Sequence, residues 1–199
     1  PPTMSSYFPH TRQVFIFLTL MAALPAFSQT KKGFKALDKG KWDAAIAAFA
    51  VDTADTEMRA AALFGMASAL ASAENPTKDY RRAMELQAEA KDAWKKLKIS
   101  QRKAITDEHD VKGVDIDKLR SSTASTAWKA IEKTATLEQV DEYLEAFPVV
   151  NPTLDKKARD KQDKLLETAI YSAKTYEEHV YLIEHHSADI PEKFPSAMD

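Results

Sequence analysis

After residue 28 the chain has no stretch of strand length in which apolar and polar residues alternate with period two. Five of its nine prolines, Pro76, Pro148, Pro152, Pro191 and Pro195, stand there between segments with helical spacing. Proline cannot continue a helix and biases the residue before it away from helical geometry, so each works as punctuation. Only Val149 and Val150 resemble a strand core, and Pro148 and Pro152 fence them in. Four glycines and abundant alanine fit the same reading, because alanine carries the smallest cost in a helix. The spacing predicts helices over about 31–39, 43–52, 57–73, 77–97, 101–110, 115–134, 137–146, 154–173 and 176–186. In the third, Met58, Ala61, Ala62, Met66, Ala69 and Ala73 recur at three and four, with Leu63, Phe64 and Leu70 widening the apolar face. Such a helix must be buried on most sides. Asn75-Pro76 reads as the start of the fourth helix, whose stripe includes Tyr80, Ala83, Met84, Ala90, Trp94 and Leu97. The expected fold is all-α.

The segment before residue 29 reads as an address. Met4 is the nearby initiator, His10 and Arg12 follow, and an apolar run from Val14 to Phe27 is broken only by Thr19 and Pro25. Ala26-Phe27-Ser28 places small residues at the −3 and −1 positions of a cut before Gln29, completing the three-part pattern of a secretory signal peptide. The apolar core, roughly 14 residues, is shorter than the ~20 a bilayer span needs. No second hydrophobic span follows. The expected product is an exported protein without a transmembrane segment. Cleavage removes Arg12 and no acid, so the formal charge moves from −2 to −3. Lys and Arg are interspersed with acids, which excludes the basic surplus that captures nucleic acid. The absence of cysteine excludes disulfides, thiolate metal sites, a cysteine nucleophile and lipidation through cysteine.

Sliding the chain on itself by 39 residues matches Ala130-Ile131 with Ala169-Ile170, Thr136 with Thr175, Glu138 with Glu177, Glu145 with Glu184, Pro152 with Pro191 and Ala158 with Ala197. Thr136-Leu137-Glu138-Gln139 and Thr175-Tyr176-Glu177-Glu178 both have capping-box form. The implied unit is a long helix, a turn, a short capped helix and a proline-marked loop, a period within the range of α-solenoid repeats. Pro191 to Asp199 then corresponds to the entry of another long helix, so the sequence is expected to be the N-terminal part of a longer protein.

Nearer the N-terminus, Gly33, Gly40, Trp42, Ala45 and Phe49 resemble the tetratricopeptide (TPR) motif, with Gly33 at the small position of helix A, Gly40 and Trp42 at the turn, and Ala45 and Phe49 on helix B. Gly65, Tyr80, Ala83 and Ala90 form a second match with about six residues inserted around Asn75-Pro76. Asp52 stands where the motif has its second helix-B alanine, and the usual proline after helix B is missing. The later repeats are similar to degenerate TPR-like repeats of exported bacterial proteins, particularly those whose signal peptides end in Phe-Ser-Gln. The resemblance implies TPR-like helical hairpins stacked as an α-solenoid, serving as an interaction scaffold of the cell envelope, periplasmic or outer-membrane-associated. The expected organisation is a leader over 1–28, TPR-like repeats over 29–97, a helical connector over 98–120 and degenerate 39-residue repeats over 121–199.

Candidate chemistry is sparse. His179, His185 and His186 with Glu178 and Glu184 are the one metal-like cluster, but the repeat places His179 and His186 where Val140 and Phe147 pack, and the order is not that of a zinc protease helix. Asp107-Glu108-His109-Asp110 reads as a frayed helix end ahead of a C-terminal glycine, Gly113. Ser121, Ser122, Thr123, Ser125 and Thr126 lack a nucleophile elbow and a Gly-rich phosphate loop and read as a solvated helix face with small residues at a close contact. Trp42, Trp94 and Trp128 sit at core spacing. The reading is a non-catalytic scaffold without cofactor or metal that binds a protein or peptide, with Lys32 and Lys35 on the first helix A as peptide contacts. Its rivals are the helical front of an envelope enzyme and a structural spacer.

Overall fold

A computed structural model describes residues 27–190 except residue 149. Those residues form an all-α fold with no strand among them. The helices are α1 (Phe27–Leu37), α2 (Trp42–Asp52), α3 (Arg59–Ala71), α4 (Tyr80–Lys96), α5 (Ile99–His109), α6 (Gly113–Ile131), α7 (Leu137–Ala146), α8 (Pro152–Ser172) and α9 (Tyr176–His186). Every expected helix has its counterpart. The leader up to Ala26, together with the repeat matches at Pro191 and Ala197, lies outside the described residues. The cut expected before Gln29 falls within the first turn of α1. Helix α6 runs through residues 120 and 121, where the connector was expected to give way to the repeats.

The boundaries follow from capping. Gly40 adopts φ 64°, the left-handed conformation that costs glycine little. The Lys41 N–H reaches back to the Ala36 carbonyl and the Gly40 N–H to that of Leu37, closing α1 as a Schellman turn. Helix α4 starts later than expected: Asp79 is its cap, accepting the Arg82 N–H at 2.8 Å. Asn75 does not begin that helix but is buried in the preceding loop, donating to the Ala69 carbonyl and accepting from the Thr77 N–H and hydroxyl. A buried amide with its own partners fixes a loop better than a proline signal can indicate. At the end of α5 the left-handed residue is Asp110, with φ 53°. The glycine expected as that C-cap, Gly113, instead opens α6. A Cβ there would stand 2.7 Å from the Trp94 indole nitrogen, so Gly113 is required by a close approach.

Thr136 and Thr175 both cap as expected, accepting the Gln139 and Glu178 N–H groups while those side chains accept the threonine N–H groups. Helices α8 and α9 begin 39 residues after α6 and α7 respectively, so the sequence period is a period of helices. Asn151 caps α8 and Pro152 occupies its first position, where no amide hydrogen is needed.

The core runs in series along the chain. Phe49, Ala45 and Ala62 join α2 to α3, with Phe34 of α1 against them. Helix α3, with Ala60, Ala61, Leu63 and Ala67 buried, packs with Leu86 and Ala90 of α4, Ile105 of α5 and Ile116 of α6. Met84 of α4 then meets Ala124, Ala127 and Trp128 of α6, Val140, Tyr143 and Phe147 at α7, and Ala158 of α8. Helices α1 and α3, and α6 and α8, also touch across the short helix between them. The Gln87 side chain of α4 donates 2.7 Å to the Ile116 carbonyl within the buried α4–α6 contact.

Candidate functional site

The motif residues of the first hairpin meet at one side chain. Phe49 is fully buried, and a Cβ on Gly33 or on Gly65 would come within 2.6 Å and 2.3 Å of its ring. The ring therefore lies between α1 and α3, admitted by two glycines, and Phe34 meets it edge-on with centroids 4.8 Å apart. Ala45 and Ala83 are buried at helix contacts, whereas Trp42 is half-buried beside Gly40. These residues build helix packing. Lys32 and Lys35 are exposed on α1.

A groove of about 740 Å³ opens between the start of α4, the end of α6 and α7. Tyr80, Ala127, Ile131, Tyr143 and Phe147 supply its apolar surface, and Lys78, Arg81 and Glu142 bring charges of both signs. The floor is set by an aromatic series: Trp128 and Tyr143 have centroids 5.1 Å apart, and Tyr143 and Phe147 4.9 Å. Burial, reinforced by the charge of Asp155, pushes the Tyr143 phenol up to about 12. Its hydroxyl donates to the Ala124 carbonyl at 3.3 Å. Tyr80 differs. Its hydroxyl is withdrawn from solvent with no hydrogen-bond partner among the described residues, and burial raises its pKa. Arg81 reaches across to Glu145 of α7 through two contacts of 3.3 Å. Lys32 and Lys35 do not line this groove. Lys78, Arg81 and Glu142 carry no motif in the sequence; only the approach of α4 to α7 brings them together.

The histidines are divided among separate contacts. His179 Nδ1 lies 2.7 Å from the Thr175 carbonyl, and the His185 ring stacks on Tyr181 at 4.5 Å. His186 Nε2 lies 2.9 Å from Asp141 Oδ2. His186 is buried as the repeat expected of Phe147's counterpart, but His179 is exposed where Val140 is fully buried, so that half of the expectation fails. The outer side of α9 is not packed as α7 is: Ile183 is 64% exposed, whereas its counterpart Leu144 packs into the core. Asp141 also accepts the Tyr181 hydroxyl at 2.5 Å and the Gln162 amide at 2.6 Å. One carboxylate thus links α7 to α8 and α9. Both of its oxygens are engaged in helix-to-helix contacts.

The serine and threonine run lies on α6, where Ser122 and Thr123 donate to the Leu119 carbonyl and Thr126 to that of Ser122. In the acidic run, His109 is not frayed but turns its side chain inward near the Phe34 ring, with centroids 5.8 Å apart. Burial lowers its pKa below the usual 6.5; Glu108 opposes this, Lys31 adds to it and Asp52 opposes it. The unfolded chain therefore binds a proton near pH 6.5 that the folded chain refuses until lower pH, so stability falls as pH drops below that value. A thermal unfolding series from about pH 7.5 to 5 should show this decline shallower in His109→Gln than in the native protein. Equal slopes would assign the decline to other groups.

Comparison of the chain with family models, curated proteins and solved structures returns no match to any of them.

Proposed function

We propose that this chain is a non-catalytic helical-repeat scaffold of TPR-like type, exported to the bacterial envelope, which binds a peptide segment of a protein partner. The observation that carries the reading is the groove between α4, α6 and α7, whose aromatic floor meets a shielded tyrosine hydroxyl that has no hydrogen-bond partner among the described residues. Its volume lies in the range of ligand sites, and its rim offers both charges to an extended segment. An apolar residue of the segment rests on Tyr143 and Phe147, and a backbone carbonyl accepts from Tyr80 once its hydroxyl turns out into the groove. Preformed helix packing keeps the ordering cost low. The packing of Phe49 between Gly33 and Gly65 supports a TPR-like start, and the 39-residue spacing of α6–α7 and α8–α9 supports continued stacking. Lys32 and Lys35 are proposed as contacts for acidic residues of the same partner farther along the chain.

Selection of a random peptide display library on the purified protein tests this. Enriched peptides should lose about fivefold to tenfold in affinity to Tyr80→Phe, which removes one hydroxyl, and a comparable factor to Arg81→Glu. Binding untouched by both substitutions, or no enrichment at all, would remove the groove from consideration. A Lys32→Glu, Lys35→Glu double variant tested on intact partner separates the two contact regions.

A further inference from the structure

Asp52 ends α2 and is 1% exposed. Its Oδ2 accepts the Thr30 N–H at 2.7 Å and also the Thr30 hydroxyl, while its Oδ1 is buried with no hydrogen-bond partner among the described residues. A carboxylate taken from water with one oxygen unmatched is costly, and TPR-like packing at this position asks only for a small apolar residue. Thr30 is in the first turn of α1, where backbone N–H groups lack partners within the helix. Asp52 therefore faces the amino end of α1 from the neighbouring helix. The end of α5 closes the same region: the buried His109 ring feels the charges of both Asp52 and Lys31, and its Nε2 is also without a hydrogen-bond partner among the described residues.

We propose that Asp52 is the docking site for the amino terminus made when the chain is cut between Ser28 and Gln29. This rests on the export reading. Hydrolysis of that bond by a signal peptidase consumes one water, leaves a carboxyl on Ser28 and leaves an ammonium on Gln29. Successive backbone nitrogens in a helix are about 3 Å apart, so the new ammonium arises one residue from the N–H that Asp52 already holds. It gives Oδ1 a cationic donor, which none of the described residues supplies. An ammonium at a helix N-terminus is disfavoured by the helix dipole, and a buried carboxylate offsets that penalty. In this arrangement processing does more than remove an address: it completes the packing of α1 against α2.

The test is a double-mutant cycle on the chain beginning at residue 29. Gln29→Ala is used throughout, because an N-terminal glutamine cyclises with loss of ammonia and consumes the amine. Four proteins are compared: free amine or acetylated terminus, each with Asp52 or Asp52→Asn. Acetylation should lower Tm by about 3 °C or more with Asp52 and by less than about 1 °C with asparagine. Equal losses in both backgrounds would reduce Asp52 to a cap for Thr30 and overturn the proposal. If Asp52→Asn does not fold, titration of the α-amine in the Asp52 protein decides: the pair predicts a pKa above the ordinary ~8, and an unshifted or lowered value overturns it. N-terminal sequencing and intact mass of the protein recovered from its own cells provide the separate check. A start at Gln29 with a free amine supports the proposal, and a terminus blocked as the lactam overturns it, since no ammonium then exists. A chain that keeps residues 1–28 and stays in the cytoplasm overturns both the export reading and the docking; a cut at another bond, or a correct cut without coupling, overturns the docking alone.

Discussion

Phe49→Ala should cost about 3–5 kcal/mol, the expected loss for truncating a fully buried aromatic ring that the surroundings cannot fill. The site leaves little room for collapse, because the ring is flanked by two glycines that have no side chains to move into the cavity. Gly65→Ala supplies the companion result. In the interior of an ordinary helix this substitution is favourable by up to about 1 kcal/mol. Here the added Cβ would stand 2.3 Å from the Phe49 ring, and Gly65→Ala alone should instead destabilise by about 1–3 kcal/mol. Once Phe49 is already alanine, the same methyl group enters free space and should be neutral or stabilising. Denaturant titration of the four proteins measures the coupling. A Gly65→Ala variant that stabilises the native chain would mean that the ring does not occupy the contact between α1, α2 and α3.

Asp141→Ala should free α9 from the rest of the fold. The substitution leaves the Gln162 amide, the Tyr181 hydroxyl and the buried His186 ring without their shared acceptor. Hydrogen bonds to a charged group contribute about 1.5–3 kcal/mol each, and those lost here are not independent, so about 3 kcal/mol is the expected cost. Beyond this node α9 has little to hold it: Leu182 is buried, but Tyr176 and Ile183 are exposed. The loss should therefore be local. Amide exchange over residues 176–186 should accelerate about 100-fold, while α3 and α4 keep their protection. Uniform acceleration along the chain would instead show that α9 unfolds only with the whole molecule.

Periodicity read correctly the features that each helix carries within itself. The buried positions Met58, Ala61, Ala62 and Ala69 of the α3 stripe, the paired capping boxes at Thr136 and Thr175 and the 39-residue spacing of the later helix starts appear as expected, whereas Ala73, expected on the same stripe, is exposed beyond the end of the helix. The failures occurred where a residue's role depends on a distant partner. Asn75 has the composition of a helix cap but spends its amide on the Ala69 carbonyl. Gly113 looks like a helix stop and is instead a gap filled by Trp94 from α4. His179 and His186, seven residues apart on one helix, part company because only His186 reaches Asp141.

The same distinction separates the candidate sites. Gly33 and Phe49 stood together in the motif of the first hairpin, but Gly65 belonged to the second match, and only the packing of α2 against α3 brings it to the Phe49 ring. The groove was not legible, since Tyr80 and Arg81 meet Glu142 and Tyr143 only after some 60 residues of intervening chain have folded. Nor did the sequence give Asp52 a purpose, although its departure from the motif marked it. By itself the sequence determined the helices and the capping boxes at Thr136 and Thr175, which rest on interactions within a few residues. The tertiary structure alone decided which polar groups are buried, which of them are paired and which surfaces form a groove, because those properties depend on exclusion of water by elements far apart in the chain.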